Sequence, residues 1–229
     1  MSELDTTHRP DGPARSATRS IVSISAGTSQ PSTTHMLADR LSHSTASALA
    51  EQGIDAEVTT IDLRDLAEDA LNAMLTGMRT GALDAAMEQV AAADGLVVTS
   101  PVYSASYSGL LKIFLDILDA GAIDGTPVLL AATGGTSRHS LAIDHALRPL
   151  MSYLRALPVA TAVFAATDDW ASAGEQGAGE RPGEGVGALP VRIARAAGEL
   201  ATAVAARAPR EVQDEFAVVP DFGQMLRGL

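Results

Sequence analysis

Thr99-Ser100-Pro101-Val102-Tyr103-Ser104-Ala105-Ser106-Tyr107-Ser108-Gly109-Leu110-Leu111-Lys112-Ile113-Phe114-Leu115-Asp116-Ile117-Leu118-Asp119 is where an apolar strand, residues 95–100, passes through a Pro-Tyr-Ser loop into a helix. In an open α/β sheet small molecules bind in the crevice beyond the carboxyl ends of the strands, and this loop lies beyond such an end. The ring of Tyr103, the hydroxyls of Ser104, Ser106 and Ser108, and the amides that open the next helix suit a flat, partly polar ring better than a metal or a long polymer.

Working outward, short apolar runs alternate with longer helical patterns, which is the signature of βαβ units and a parallel sheet. The pattern predicts strands over residues 20–25, 57–61, 96–100, 128–133 and 159–165. Helical patterns cover 32–52, 62–74, 82–93, 108–120, 140–155 and 189–206. Gly53 and Gly121 stand where helices stop. Residues 1–19 read as a polar, disordered leader, 171–187 as a loop rich in Gly, Ala and Glu, and 209–229 as an irregular tail, which leaves 20–208 as one domain.

Composition narrows the function. The chain has 229 residues, 46% of them hydrophobic and 3% aromatic, so its core is built mainly of Ala, Val, Leu and Ile. Cys is absent, which rules out a disulfide, a thiolate metal site and a cysteine nucleophile. A formal net charge of −12 repels a polyanion, so nucleic acid is excluded as a partner. No apolar run near the start is long enough for a signal peptide or membrane span, and a cytoplasmic location is expected.

Three further stretches carry chemistry. Ser23-Ile24-Ser25-Ala26-Gly27-Thr28-Ser29-Gln30-Pro31-Ser32-Thr33-Thr34 follows the first strand and opens a helix. Hydroxyls and unpaired amides at a helix start can hold a phosphate without a lysine, although ordinary capping also enriches Ser and Thr there. The sequence lacks both G-x-G-x-x-G and a Walker lysine. Thr133-Gly134-Gly135-Thr136-Ser137-Arg138-His139 ends the fourth strand, and its two glycines let backbone approach a planar ligand and leave one face open. In Ala142-Ile143-Asp144-His145-Ala146-Leu147-Arg148-Pro149-Leu150, Pro149 cannot donate to the carbonyl of His145, so the helix must kink or bulge. His139 and His145 lack the i,i+4 spacing of a helical metal pair, and no metal is expected. Lys112 and Asp116 form an i,i+4 pair, Trp170 reads as a residue that pins its loop rather than lines a site, and no catalytic triad or carboxylate pair has a context.

Together, residues 20–170 resemble the NADPH-dependent FMN reductases, small flavodoxin-like enzymes that supply reduced flavin to two-component monooxygenases. The resemblance implies a five-stranded parallel sheet of order 2-1-3-4-5 with helices on both faces, FMN and NADPH (or NADH) as cofactors, hydride transfer from NAD(P)H to FMN, and no protein acid or base. It places the FMN phosphate on Ser25, Thr28, Ser32, Thr33 and Thr34, the ring and ribityl chain on Pro101, Val102, Tyr103 and Ser106, and a second flavin loop on Thr133, Gly134, Gly135, Thr136 and His139. It also implies a π-helix with His145 at the inserted residue, beside a subunit interface. A homodimer or homotetramer joined through helix 108–120 is expected, with a flavin-dependent monooxygenase as a possible acceptor. The rivals are a quinone, azo or metal-ion reductase that retains FMN, and a non-enzymatic FMN-binding electron carrier or sensor.

Overall fold

The computed structural model describes residues 18–171 and 188–210; residues 1–17 of the expected leader, the loop after Ala171 and most of the C-terminal tail lie outside them, and Arg19, placed in the leader, instead opens the first strand, buried and paired with Asp94. Strands β1 (Arg19–Ser25), β2 (Ala56–Asp62), β3 (Gly95–Tyr103) and β5 (Pro127–Gly134) run parallel, in spatial order β2-β1-β3-β5. The fifth position beside β5 is shared by two short parallel segments, β6 (Leu157–Pro158) and β7 (Val163–Ala166). With β6 and β7 taken as one interrupted strand, this is the flavodoxin-like order 2-1-3-4-5.

Side chains alternate between the two faces. Along β1, Ile21 joins the core beneath helices α1 (Thr33–Ala50) and α7 (Leu189–Ala205), while Val22 and Ile24 join the opposite core. That second core holds α2 (Ala67–Thr76), α3 (Gly81–Ala92), α4 (Gly109–Asp116) and α5 (Arg148–Tyr153). A sheet covered on both faces must be apolar on both, which is why its strands read as continuous hydrophobic runs rather than alternating ones. A short α6 (Thr167–Ala171) follows β7.

Four expectations are corrected. First, the 95–100 strand does not stop before the Pro-Tyr-Ser loop: β3 continues to Tyr103 and turns back through Ser104 and Ala105 into β4 (Ser106–Tyr107), with Val102 opposite Tyr107 and Tyr103 opposite Ser106. Both turn residues have positive φ, 50° and 65°, a geometry normally given to Asn or Gly, so the hairpin left no turn signal. Second, α4 ends at Asp116 and not at residue 120. Arg79 donates to the Ile117 carbonyl at 2.7 Å and to both Asp119 carboxylate oxygens at 2.7 and 3.0 Å, drawing the chain out of the helix.

Third, the 140–155 helix is not one helix. A 3-10 turn (Ser137–His139) leads to a π-helix (Ile143–Leu147) and then α5. The Arg148 amide donates to the Ile143 carbonyl, five residues back, and Pro149 falls in the first turn of α5, where its missing N–H costs no helical bond. The π-helix therefore sits where the proline and the resemblance placed it, with His145 inside it. Fourth, the 159–165 strand is broken. The Val159 and Ala160 carbonyls accept from Arg148, while Thr161 gives its amide (2.7 Å) and hydroxyl (2.5 Å) to the Glu199 carboxylate, so the chain here bonds to side chains in place of the strand ladder. The Lys112–Asp116 pair forms as expected, at 2.5 Å. Among the described residues no helix is long and apolar enough to cross a membrane.

Candidate functional site

At the carboxyl ends of β1, β3, β5 and β7 the chain leaves a cleft of about 360 Å³. Its walls come from four connections, because each strand of a parallel sheet ends on the same side.

The β1–α1 loop gives Thr28, Ser29, Thr33 and Thr34. Ser32 caps α1, its Oγ accepting from the His35 amide at 3.1 Å. The amides of Thr33 and Thr34 belong to the first helical turn and have no intrahelical acceptor, so they are free for an anion. Gly27 is required by packing: a Cβ there would lie 2.1 Å from Ser32 Oγ and 3.0 Å from Thr34 Cβ. The Thr34 hydroxyl is buried and pairs with that of Thr133 at 2.8 Å, tying the loop to β5.

The β3–β4 hairpin gives Pro101, Val102 and Tyr103. Buried Ser100 sits at its root, with Oγ accepting from the Ser108 amide at 2.9 Å and donating to the Pro101 carbonyl at 2.9 Å. Tyr103 is half-exposed, and its hydroxyl lies 2.9 Å from that of Thr28, across the cleft between the two walls. From β5 come Thr133, Gly134 and Gly135. The glycines serve different ends. A Cβ at Gly134 would meet the Phe164 ring at 2.9 Å, whereas nothing lies within 4 Å of one at Gly135. Gly134 answers to the core, and Gly135 faces open space.

The remaining predicted residues stand apart from this cleft. Ser25 is buried on β1, and its hydroxyl, like those of Ser23 and Thr99, has no hydrogen-bond partner among the described residues. Ser32 lines a neighbouring cleft of about 300 Å³ together with His35, Asp62 and Arg64. Ser106 pairs with Tyr103 in the hairpin. Thr136 caps the 3-10 turn that contains His139, and the His139 side chain is exposed.

Four lining residues were not among those expected: Ser29 from the β1–α1 loop, and Ala165, Thr167 and Trp170 from the end of β7 and from α6. The sole tryptophan packs against the α1/α7 core, in keeping with its reading as a residue that pins its loop, and also lines the cleft, which that reading left out. Its rarity was the signal available in the sequence.

Every described side chain lining the cleft is uncharged, so what the cleft can do is accept a phosphate on amides and hydroxyls at one end and a flat ring against Tyr103, Gly135 and Trp170 at the other. The titratable cluster lies just outside it. His35 places Nδ1 2.9 Å from Asp62 and Nε2 3.0 Å from Asp39. The hydrogen bond to Asp62, with the charges of both carboxylates, raises its pKa above the ordinary 6.5 against an opposing effect of burial. Among the described residues no group of three or more His, Asp or Glu side chains is arranged to hold a metal ion.

A parallel sheet of this order with a neutral, hydroxyl-rich cleft at its switch point defines a flavodoxin-like nucleotide-binding protein. Residues 19–171 match the family model for NADPH-dependent FMN reductase, and the chain belongs to that family. It is 41% identical over 154 residues to an FMN reductase (NADPH) of Pseudomonas aeruginosa, spanning 66% of this chain and 78% of that protein. It is 39% identical over 153 residues to the NADH-dependent FMN reductase SfnF of Pseudomonas fluorescens, again covering 66% and 78%. Among solved structures, an oxidoreductase from Corynebacterium diphtheriae superposes with a TM-score of 0.75 at 45% identity, covering 84% of this chain and all (100%) of that one.

Proposed function

We propose that this chain is an NAD(P)H-dependent FMN reductase. The observation that carries the reading is the cleft itself, with the first turn of α1 at one end and open Gly135 at the other, both lined without charge. FMN, when bound, supplies a hydride acceptor for the nicotinamide. The chain's part is to bind and orient. Thr33 and Thr34 hold the phosphate with first-turn amides and hydroxyls, and Thr28 supports Tyr103 through the hydroxyl pair. Tyr103 and Val102 pack one side of the ring and exclude water, and Gly135 leaves room for the nicotinamide to approach. Reduced flavin released from so open a cleft passes to a separate acceptor, which the family resemblance makes a flavin-dependent monooxygenase. Two or four copies assemble through α4 and the π-helix, whose surfaces leave Leu110, Ile113 and Ile117 only partly covered.

Anaerobic mixing with NADPH or NADH tests the reading: one FMN is reduced per nicotinamide oxidised, and riboflavin, lacking the phosphate, binds more weakly. Equal affinity for FMN and riboflavin removes the phosphate assignment, and absence of NAD(P)H oxidation removes the enzyme. Gly135→Leu sharpens the test. Nothing in the fold opposes the new side chain, so the unfolding midpoint stays within about 0.5 kcal/mol of the parent, as for surface changes in general. Flavin reduction falls on the order of 100-fold or more, because misplacing the reactants by about an ångström costs that much. Full activity in this variant removes the open-face assignment.

A further inference from the structure

The cleft is uncharged and the chain around it carries −12, yet the nucleotide it takes brings several phosphate charges. An acidic protein disfavours such an approach unless a fixed cation offsets it locally. Arg40 is placed to do so. It lies on the exposed side of α1, and its guanidinium sits 5.0 Å from the ring centroid of Trp170, within the range where an aromatic face attracts a cation. Trp170 in turn lines the cleft.

The charge of Arg40 is not consumed by the fold. Arg79 is paired with Asp119, Arg148 with Asp144 and Arg192 with Asp169, whereas Arg40 has no carboxylate partner among the described residues. The acids near it are committed elsewhere. Asp39, its neighbour in the chain, faces His35 and Thr60, and Asp169 accepts from Arg192 and from the Ala166 amide. A guanidinium seated over an indole still presents N–H donors in a planar fork, which suits a phosphate monoester.

We propose that Arg40, seated on Trp170, binds the 2′-phosphate of NADPH and makes NADPH the preferred reductant over NADH. The proposal rests on the reductase reading above, and it assigns a preference that the relatives divide between them, one being named for NADPH and another for NADH.

The test uses the chain's single tryptophan, whose fluorescence reports the site directly and does not depend on turnover. The purified protein is titrated with 2′,5′-ADP and with 5′-ADP, which differ only in the phosphate at issue. The expected result is at least tenfold tighter binding of 2′,5′-ADP, a gap abolished in Arg40→Gln, partly kept in Arg40→Lys and kept in Arg138→Gln, which removes the same charge from an exposed arginine on the β5 loop. In steady state, Arg40→Gln lowers the ratio of kcat/KM for NADPH over NADH about tenfold, through KM for NADPH. Equal affinity of the parent for the two nucleotides, a gap that survives Arg40→Gln, or a gap lost in Arg138→Gln instead overturns the proposal. If the parent shows the gap but oxidises neither NADPH nor NADH, the phosphate site stands and the reductase reading falls. If it oxidises both and shows no gap, the reverse holds.

Discussion

On the α1 side of the cleft each turn of backbone is held by a second group, while on the hairpin side buried Ser100 pins only the root and the tip beyond it is held by a two-residue pairing and one exposed hydrogen bond. Gly27 is wedged against Ser32, Ser32 caps the helix, Thr34 is tied to Thr133, and the Ala26 amide bonds the Thr99 carbonyl at 2.9 Å. Opposite, β4 has two residues, the turn at Ser104 and Ala105 adopts positive φ without glycine, and Tyr103 reaches Thr28 through solvent-exposed hydroxyls. The difference fits the two ends of the proposed ligand. A phosphate needs amides aimed at one point, and pre-organised donors lose no energy in rearranging. A ring that must enter and leave needs a wall that yields, and strained backbone is common at such places.

The largest break in this comparison comes from Gly27→Val. Its Cβ would overlap Ser32 Oγ at 2.1 Å, so the cap and the loop must shift together. Overpacking of this kind costs about 1–3 kcal/mol, and we expect the upper end in urea unfolding. FMN affinity should fall on the order of 100-fold, the equivalent of about 2.8 kcal/mol of binding energy. Parental affinity would mean that the α1 wall is not the rigid one.

Next is Thr34→Val, which leaves the Thr133 hydroxyl buried without its partner. Stranding one buried group costs about 1–3 kcal/mol, whereas removing both is close to neutral. The double variant Thr34→Val, Thr133→Val should therefore recover most of the stability lost by the single one. Additive losses would show that the pair contributes nothing as a pair.

On the soft side the sign reverses. Ala105→Gly relieves a positive φ of 65°, at the expense of greater freedom in the unfolded chain. Left-handed backbone at a non-glycine residue costs of order 1–3 kcal/mol, so a net gain of about 0.5–1 kcal/mol is expected in the unfolding midpoint. A loss would show that the turn is not strained.

That asymmetry also decides what the sequence could reveal. The α1 wall was legible because capping and phosphate chemistry both write themselves in Ser, Thr and Gly next to a helix start, and Thr28, Thr33 and Thr34 are found on the cleft. Ser25 belongs to the same run but is the last residue of β1, inside a sheet covered on both faces, and is buried there. The hairpin was hidden because Ser104 and Ala105 are not the residues its turn demands. The interrupted fifth strand and the early end of α4 depend on Glu199, Arg148 and Arg79, partners distant in the chain that no local pattern announces. A break in the 140–155 helix was legible for the opposite reason, since Pro149 forces a kink or a bulge, and it was the family resemblance that made it a π-helix. Trp170 was read for packing alone although the end of its strand was legible to within one residue; it packs against the core and also lines the cleft, a second role that no local pattern announces.

The smallest effect expected belongs to His35, at the third position of α1, and it tests whether the rigid wall is held by charge as well as by packing. A positive charge near a helix N-terminus is disfavoured by the dipole, so its retention depends on Asp62 and Asp39, which contact the two ring nitrogens. The hydrogen bond to Asp62 is the main cause of the raised pKa, and burial opposes it. A pKa raised on folding stabilises the folded state while the imidazole is charged. The contribution is therefore fully present below 6.5, the ordinary value, and is lost as pH rises through the higher folded-state value. The side chain is 37% exposed, so solvent screens the pair and the gain is modest. Urea unfolding of the parent and of His35→Gln at pH 5.5 and 8.5 reads it as a difference of differences: the parent should lead at the lower pH and the lead should shrink at the higher. A lead that is the same at both values would show that His35 acts on this wall by shape and neutral hydrogen bonding, and that charge has no part in its rigidity.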